Sequence, residues 1–249
     1  CHPSLCNDNL SGVALLAFLA RYVMENPHEY SYRFLFIPET IGAITWLSRN
    51  EDKIPNIKYG LVATCVGDRG RSTYKKSKIG NALIDQIAEK VLVDSGEPYE
   101  IIDFFPSGSD ERQFCSPGFN LPVGSLMRTP YGRFPEYHTS ADSLELVQAE
   151  HLENSLVKYE QILTVIEGNR TYLSLNPKCE PQLGKRGLFR AIGSSKKESL
   201  DEVSLLWTLS FSDGNHSLLD IARRASLPFH TIKKVADILR EQNLLKELG

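Results

Sequence analysis

Apolar and polar positions along this chain switch repeatedly between two periods. Leu10, Val13, Ala14, Ala17, Ala20 and Met24 recur at three- and four-residue steps, which predicts a helix over 9–25. Asn7, Asp8 and Asn9 stand just before it and are good N-cap residues. The run YSYRFLFIP, residues 30–38, is short, aromatic and closed by proline, so it reads as a buried strand. A helix around 41–49 follows, then a strand in KYGLVATCVG, residues 58–67. Residues 67–78 (GDRGRSTYKKSK) are polar and basic and read as a loop, 80–93 as a helix, and YEIIDFF, 99–105, as a strand. Residues 106–122 are rich in proline and glycine and predict irregular structure, of a length that is usually functional inside a compact domain. VGSLMR, 123–128, is a last strand, and a helix is predicted over about 142–166.

Strands alternating with helices predict an α/β fold, a mixed and mainly parallel sheet with helices on both faces. Sites in such sheets lie beyond the carboxyl ends of the strands. Near 170–195 the pattern breaks, with Pro177, Pro181, Gly184, Gly187 and Gly193. Short helical patterns restart at 198 and are joined by a turn containing Pro228, which is the layout of a small winged-helix domain. The expected organisation is a first domain over 1–175, a linker over 176–195 and a winged-helix-like domain over 196–249.

The net charge is −3, so the chain as a whole is not a basic nucleic-acid binder. The tail from 181 carries 11 Lys+Arg against 8 Asp+Glu. That modest excess favours a protein partner or homo-oligomer contact through the winged helix over DNA. No run of 18 apolar residues predicts a membrane span. Five cysteines, without a CxxC pair, argue against a disulfide framework and favour a reducing, cytoplasmic location.

Three segments place metal-type residues beside strand ends or turns. CHPSLCNDNLSG holds His2 and Asp8, FLFIPETIG holds Glu39, and GRFPEYHTSADSLE holds His138. A zinc hydrolase needs two or three N/O ligands, an open position for water, and a carboxylate that takes the water's proton. His2, Asp8 and His138 can supply the ligands and Glu39 the base. The plain alternatives are an N-cap for Asp8, an exposed turn acid for Glu39 and a satisfied loop histidine for His138. Arg112 in the long loop can pair with a substrate carboxylate or with its neighbours Asp110 and Glu111. Tyr137 and Tyr131 can donate to an oxyanion or simply pack. Asp142 suits a helix cap or a residue that orients His138.

These segments resemble di-zinc aminopeptidases. CHPSLCNDNLSGVALLAFLAR is similar to their His…Asp-Asn-x-Ser-Gly turn and helix, PETIGAITWL to their Glu-Glu-x-Gly turn, and EYHTSADSLELV to their late His-Thr-x-x-Asp segment. The stretch from Gly108 to Glu145 resembles more closely a bacterial aminopeptidase-like family of undefined function, with a C-terminal winged helix and a usual description tied to polysaccharide biosynthesis. The resemblance implies zinc on His2, Asp8 and His138, and Glu39 as general base. It implies a metallopeptidase that cleaves an amide bond in a peptide or aminoacyl conjugate. Asp110, Arg112 and Tyr137 are its expected substrate contacts. Thr40 stands where the family has a second Glu, and Thr64 where it has an Asp, so one zinc is expected rather than two. A degenerate scaffold, or a winged-helix regulator with a ligand-sensing front domain, are the rival expectations. The family carries strands before its first ligand histidine, so the chain is expected to be truncated at its N-terminus.

Overall fold

A computed structural model describes residues 5–186, 188 and 202–248. His2, most of the second half of the expected linker and the 198–201 start of the tail lie outside the described residues. The chain divides into two compact units, 1–164 and 165–249.

In the first unit β1 (Gly60–Ala63), β2 (Ser72–Lys75), β3 (Tyr99–Ile102) and β4 (Val123–Met127) form one sheet in the order β1-β4-β2-β3. β1–β4 and β2–β3 run parallel and β2–β4 antiparallel, so the sheet is mixed and mainly parallel. Every residue of β2 and β4 is buried. Successive side chains of a strand point to opposite faces, so burial of all of them requires both faces to be covered. The unit's helices are α1 (Ser11–Glu25), α2 (Ile41–Arg49), α3 (Leu83–Asp94), the single turn α4 (Glu111–Phe114) and α5 (Ala149–Gly168), whose last residues belong to the second unit. Gly12 lets α1 approach the end of β1, because a Cβ there would collide with the Ala63 carbonyl oxygen and the Asn9 amide.

Two expectations fail here. Residues 67–78 are not all loop, for β2 lies within them. Its Lys75 is buried because Glu111 neutralises it, a pairing that no local pattern announces. Tyr30–Pro38 joins no ladder among the described residues, and none of its positions is buried. A strand needs a hydrogen-bonded neighbour as well as a suitable composition.

The second unit contains β5 (Thr171–Ser174), α6 (Glu202–Phe211), β6 (Asp213–Ser217), α7 (Leu218–Ala225), α8 (Phe229–Glu241) and β7 (Leu245–Leu248). β5 is the central strand of an antiparallel sheet ordered β6-β5-β7. Residues 171–174, expected ahead of the linker, are thus part of the winged helix. They read as a break because four residues carry too short an alternation to register. Ser217 and Asp220 form a capping box that starts α7, and Ser226 in the left-handed region ends it. Leu219, Ile221, Ile232, Val235 and Leu239 pack the interior of this unit.

Candidate active site

Asp8 sits in the short loop Cys6–Leu10, which is fastened to the end of β1, to the residues that follow it and to Asp142. Asn9 Oδ1 accepts from Gly12 N at 3.2 Å and Cys65 N at 3.3 Å, while its Nδ2 donates to Ala63 O at 2.8 Å. The helix cap expected among Asn7, Asp8 and Asn9 is therefore Asn9, which leaves the Asp8 carboxylate for another role. Asn7 Oδ1 accepts from Gly67 N at 2.9 Å and its Nδ2 donates to Asp68 Oδ2 at 3.0 Å. Ser11 Oγ donates to Asn7 O at 2.7 Å and accepts from Val66 N at 3.2 Å.

From the other side, buried Asp142 accepts Asn7 N at 2.6 Å and Asp8 N at 2.9 Å, one bond to each carboxylate oxygen. Its own carbonyl accepts Cys6 N at 3.2 Å. Asp142 thus orients Asp8 rather than capping a helix, and it arrives from the segment that carries His138. Asn7 was not singled out by sequence reasoning. An amide next to a candidate ligand on a tight turn is the signal that marks it.

His138 occupies a left-handed backbone position, φ 58, which His adopts more readily than most residues. Its Nε2 lies 3.2 Å from Asp8 Oδ2. The Tyr137 ring stacks on the imidazole with centroids 3.8 Å apart, and Phe134 packs edge-on against Tyr137 at 5.4 Å. Burial, then the charges of Asp8, Cys65 and Glu39, push the Tyr137 phenol up to about 12, so it stays protonated at neutral pH. Burial, then Asp8, likewise pushes the Cys65 thiol far up, which makes it an inert thiol.

Glu39 is half-buried in the turn before α2. Burial raises its pKa first, and the charges of Asp8, Asp110 and Glu111 add to that, against an opposing effect of Arg112. Asp8 and Glu39 are therefore close enough to feel one another. Asp110 and Arg112, expected to contact substrate, both bond to Thr40. Asp110 Oδ1 accepts Thr40 N at 2.6 Å and Arg112 Nη2 donates to Thr40 Oγ1 at 3.1 Å. Burial raises the Asp110 pKa, and the bond from Thr40 pulls it partly back.

Asp68, a possible replacement for the carboxylate missing at Thr64, is fully occupied. It accepts from Asn7 Nδ2 and from Gly70 N at 2.7 Å, Thr129 N at 3.2 Å and Thr129 Oγ1 at 2.5 Å. Among the described residues no three His, Cys, Asp or Glu side chains form a metal cage, and His2 lies outside them. The geometry brings together Asp8, His138 and Tyr137, and the charges of Asp8 and Glu39 act on one another.

The fold and this site define an α/β unit of the aminopeptidase type joined to a winged helix. A zinc aminopeptidase from Bacillus subtilis superposes with a TM-score of 0.56 at 16% identity, over 64% of this chain and 41% of that one, a likeness of fold. Residues 1–169 match the family described as a domain of unknown function, DUF4910, and residues 170–247 a winged helix-turn-helix family. The chain belongs to the DUF4910 family. A Clostridium acetobutylicum protein, provisionally named a polysaccharide biosynthesis protein with an aminopeptidase-like domain, is 59% identical over 246 residues, 99% of this chain and 56% of that protein. A crystal structure from the same organism, provisionally described as a peptidase, matches with a TM-score of 0.93 at 57% identity, over 100% of this chain and 56% of that one. The chain spans about half the length of these relatives.

Proposed function

We propose that the first unit is a zinc-dependent hydrolase of the aminopeptidase type, acting on an amide bond in a peptide or an aminoacyl conjugate. The observation that carries this reading is the approach of His138 Nε2 to Asp8 Oδ2 at 3.2 Å, beside the half-buried Glu39. A carboxylate and an imidazole are the donors that zinc takes. Asp8 and His138 would hold the ion, with His2 as the further ligand. The saturated Asp68 and the engaged Thr40 hydroxyl support one ion over two. When bound, zinc lowers the pKa of a water and polarises a carbonyl. Glu39 accepts the proton, and its raised pKa moves it towards the range in which a general base works best at neutral pH. The protonated Tyr137 phenol donates to the oxygen that gains charge. A place in polysaccharide biosynthesis fits the provisional name of the Clostridium relative.

Two substitutions test this. His138→Ala should abolish a content of about one zinc per chain, since it removes one of the few ligands of such a site. Glu39→Gln should keep the zinc and lose hydrolysis across an aminoacyl panel. Activity that persists in Glu39→Gln rejects the base assignment, and a folded wild-type protein without zinc rejects the whole reading.

The same variant has a readout in metal-free protein. A carboxyl whose folded pKa is raised favours folding below its unfolded value, and that contribution is lost as pH rises through the folded value. Glu39→Gln should therefore melt above wild type at pH 7, with the gap closing below pH ~4. An equal gap at both pH values would contradict the raised pKa.

For the second unit we propose a protein-contact role. Arg224 lies over the Phe211 ring at 5.4 Å, Lys233 pairs with Asp237 at 2.7 Å and Arg240 with Glu247 at 3.3 Å. Cations engaged internally offer less to phosphates. No helix of the described residues is long and apolar enough to cross a membrane, and a cytoplasmic location remains our proposal. Binding of random duplex DNA at low salt, falling steeply as salt rises, would overturn the protein-contact reading.

A further inference from the structure

Thr40 has φ 64 and ψ −69. A positive φ is strained for a β-branched residue, so the surrounding structure has to hold it. Two groups do so, from 70 and 72 residues away in sequence: the Asp110 carboxylate on the Thr40 N–H at 2.6 Å, and the Arg112 guanidinium on the Thr40 hydroxyl at 3.1 Å. On the far side of Thr40, Gly42 N donates to Pro38 O at 2.9 Å and Ile41 N to Glu39 O at 2.7 Å. The turn that presents Glu39 is thus closed on itself and pinned at one residue.

The pin has a firm base. Between Asp110 and Arg112 lies Glu111, fully buried, whose Oε1 accepts from Lys75 Nζ at 2.7 Å. Lys75 lies on the interior strand β2 and also donates to Ser107 O at 2.7 Å and Tyr131 OH at 2.8 Å. At the other end of α4, Cys115 joins the apolar cluster with Leu47, and Phe114 meets Trp46 at 6.2 Å. Mechanical connection therefore runs from the sheet through Glu111 to Asp110 and Arg112, and from them through Thr40 to Glu39. Of the two side-chain bonds to Thr40, the Asp110 bond needs only an acceptor oxygen, and the Arg112 bond needs only a hydroxyl.

We propose that Asp110 and Arg112 are positioning residues that clamp the Glu39 turn through Thr40, and not substrate ligands. The kinetic consequence rests on the hydrolase reading above; the conformational one does not. A substrate ligand acts through its charge and moves KM. A clamp acts through the bond to Thr40 and moves kcat.

The experiment compares Asp110→Ala, Asp110→Asn, Thr40→Val and Thr40→Ser in the full chain. Hydrolysis of leucine p-nitroanilide is followed with zinc, and hydrogen exchange of the Thr40 amide is followed without metal. Asp110→Ala and Thr40→Val should lower kcat by about 10–100-fold, the scale of an ångström-sized misplacement. KM should hold within about twofold, as for an interaction that matters only in the transition state. Asp110→Asn keeps an acceptor and Thr40→Ser keeps the hydroxyl, so both should retain kcat. Exchange at Thr40 should accelerate in Asp110→Ala and stay slow in Asp110→Asn. A raised KM with unchanged kcat in Asp110→Asn would make Asp110 a substrate ligand and overturn the proposal. Unchanged exchange in Asp110→Ala would also overturn it. If wild-type protein leaves the anilide intact, the hydrolase reading fails on that probe, and exchange alone decides the clamp.

Discussion

Each of the two units has an apolar core, and they differ in the charge they bury beside it. The first encloses Asp8, Asp68, Lys75, Asp85, Lys90, Glu111, Arg128, Asp142 and Lys158, all under a tenth exposed. Among the described residues of the second, the buried polar side chains are Ser204, Thr208 and Ser212. Thr208 and Ser212 donate their hydroxyls to carbonyls one helical turn back. A buried charge is costly unless it is paired and hydrogen-bonded, so a fold retains one where it does something that apolar packing cannot. In the first unit these groups hold loops at fixed positions: Asp142 the Asp8 loop, Asp68 the Asn7 side chain and the Thr129 backbone, Glu111 the base of the Glu39 turn. The second unit is assembled from leucine, isoleucine and valine on short helices. Buried charges accompany the loops around the candidate site, and none is buried among the described residues of the second unit.

The strongest way to break this comparison is to open the Lys75–Glu111 pair. Both side chains are at most 1% exposed and separated by 2.7 Å. Glu111→Ala leaves an ammonium sealed without its carboxylate and should cost about 3–5 kcal/mol. Replacing both, as Lys75→Met with Glu111→Leu, should restore much of that stability, since an apolar pair of similar volume is often no worse than a buried ion pair. The restored protein should still hydrolyse slowly, because the base of the Glu39 turn has changed. Each unit holds one of the two tryptophans, Trp46 and Trp207. Urea unfolding followed by Trp46 fluorescence in a Trp207→Phe background reads the first unit. A double variant as unstable as the single one would mean that the pair is required for stability as well as for placement.

The counterpart in the second unit is a cavity. Leu239 is fully buried on α8, and Leu239→Ala should cost about 2–5 kcal/mol through lost transfer energy and the void left behind. The loss should appear in the Trp207 transition. Zinc content and the kinetics of the first unit should be unchanged. If zinc binding also fell, the two units would share stability, and the contrast between them would weaken.

What the sequence announces follows the same division. Helical patterning located α1, α2, α3, α7 and α8, because periodicity is a local property, but in α1 it chose the wrong face: Leu10, Val13 and Met24 are exposed, and Leu15, Leu19 and Val23 are buried. It also put Glu39 and His138 on turns and Asp8 just ahead of α1, where the structure has them, since those segments have short local signatures. It misplaced β2, whose lysine reads as surface until Glu111, 36 residues later, is brought against it. It expected Asp110 and Arg112 to contact substrate and gave no sign of their bonds to Thr40, which lies 70 and 72 residues away and is unremarkable as a residue type. It assigned Tyr30–Pro38 to a strand on composition, which says nothing of a pairing neighbour. Misreadings gather where one residue's role is set by another distant in sequence, as that of Lys75 is by Glu111.

The smallest effect sharpens the comparison most directly, because similar chemistry can be tested at different depth. Ser217 Oγ accepts from Asp220 N at 3.2 Å and donates to Asp220 Oδ2 at 2.7 Å at the partly exposed start of α7. Asp142 makes an equivalent side chain-to-backbone contact with Asn7 N and Asp8 N in the sealed interior of the first unit. Ser217→Ala should cost about 1 kcal/mol, the usual value of a helix cap. The remainder of the box survives, since Asp220 Oδ2 still accepts Ser217 N at 2.9 Å, and water can reach the amide left behind. Asp142→Ala should cost more than Ser217→Ala, for both amides it accepts are buried where water does not take its place. Trp207 fluorescence for the first variant and Trp46 fluorescence for the second measure both costs on one denaturant scale. Equal costs would show that depth does not set the weight of these bonds, and the polar interior of the first unit would then need another explanation.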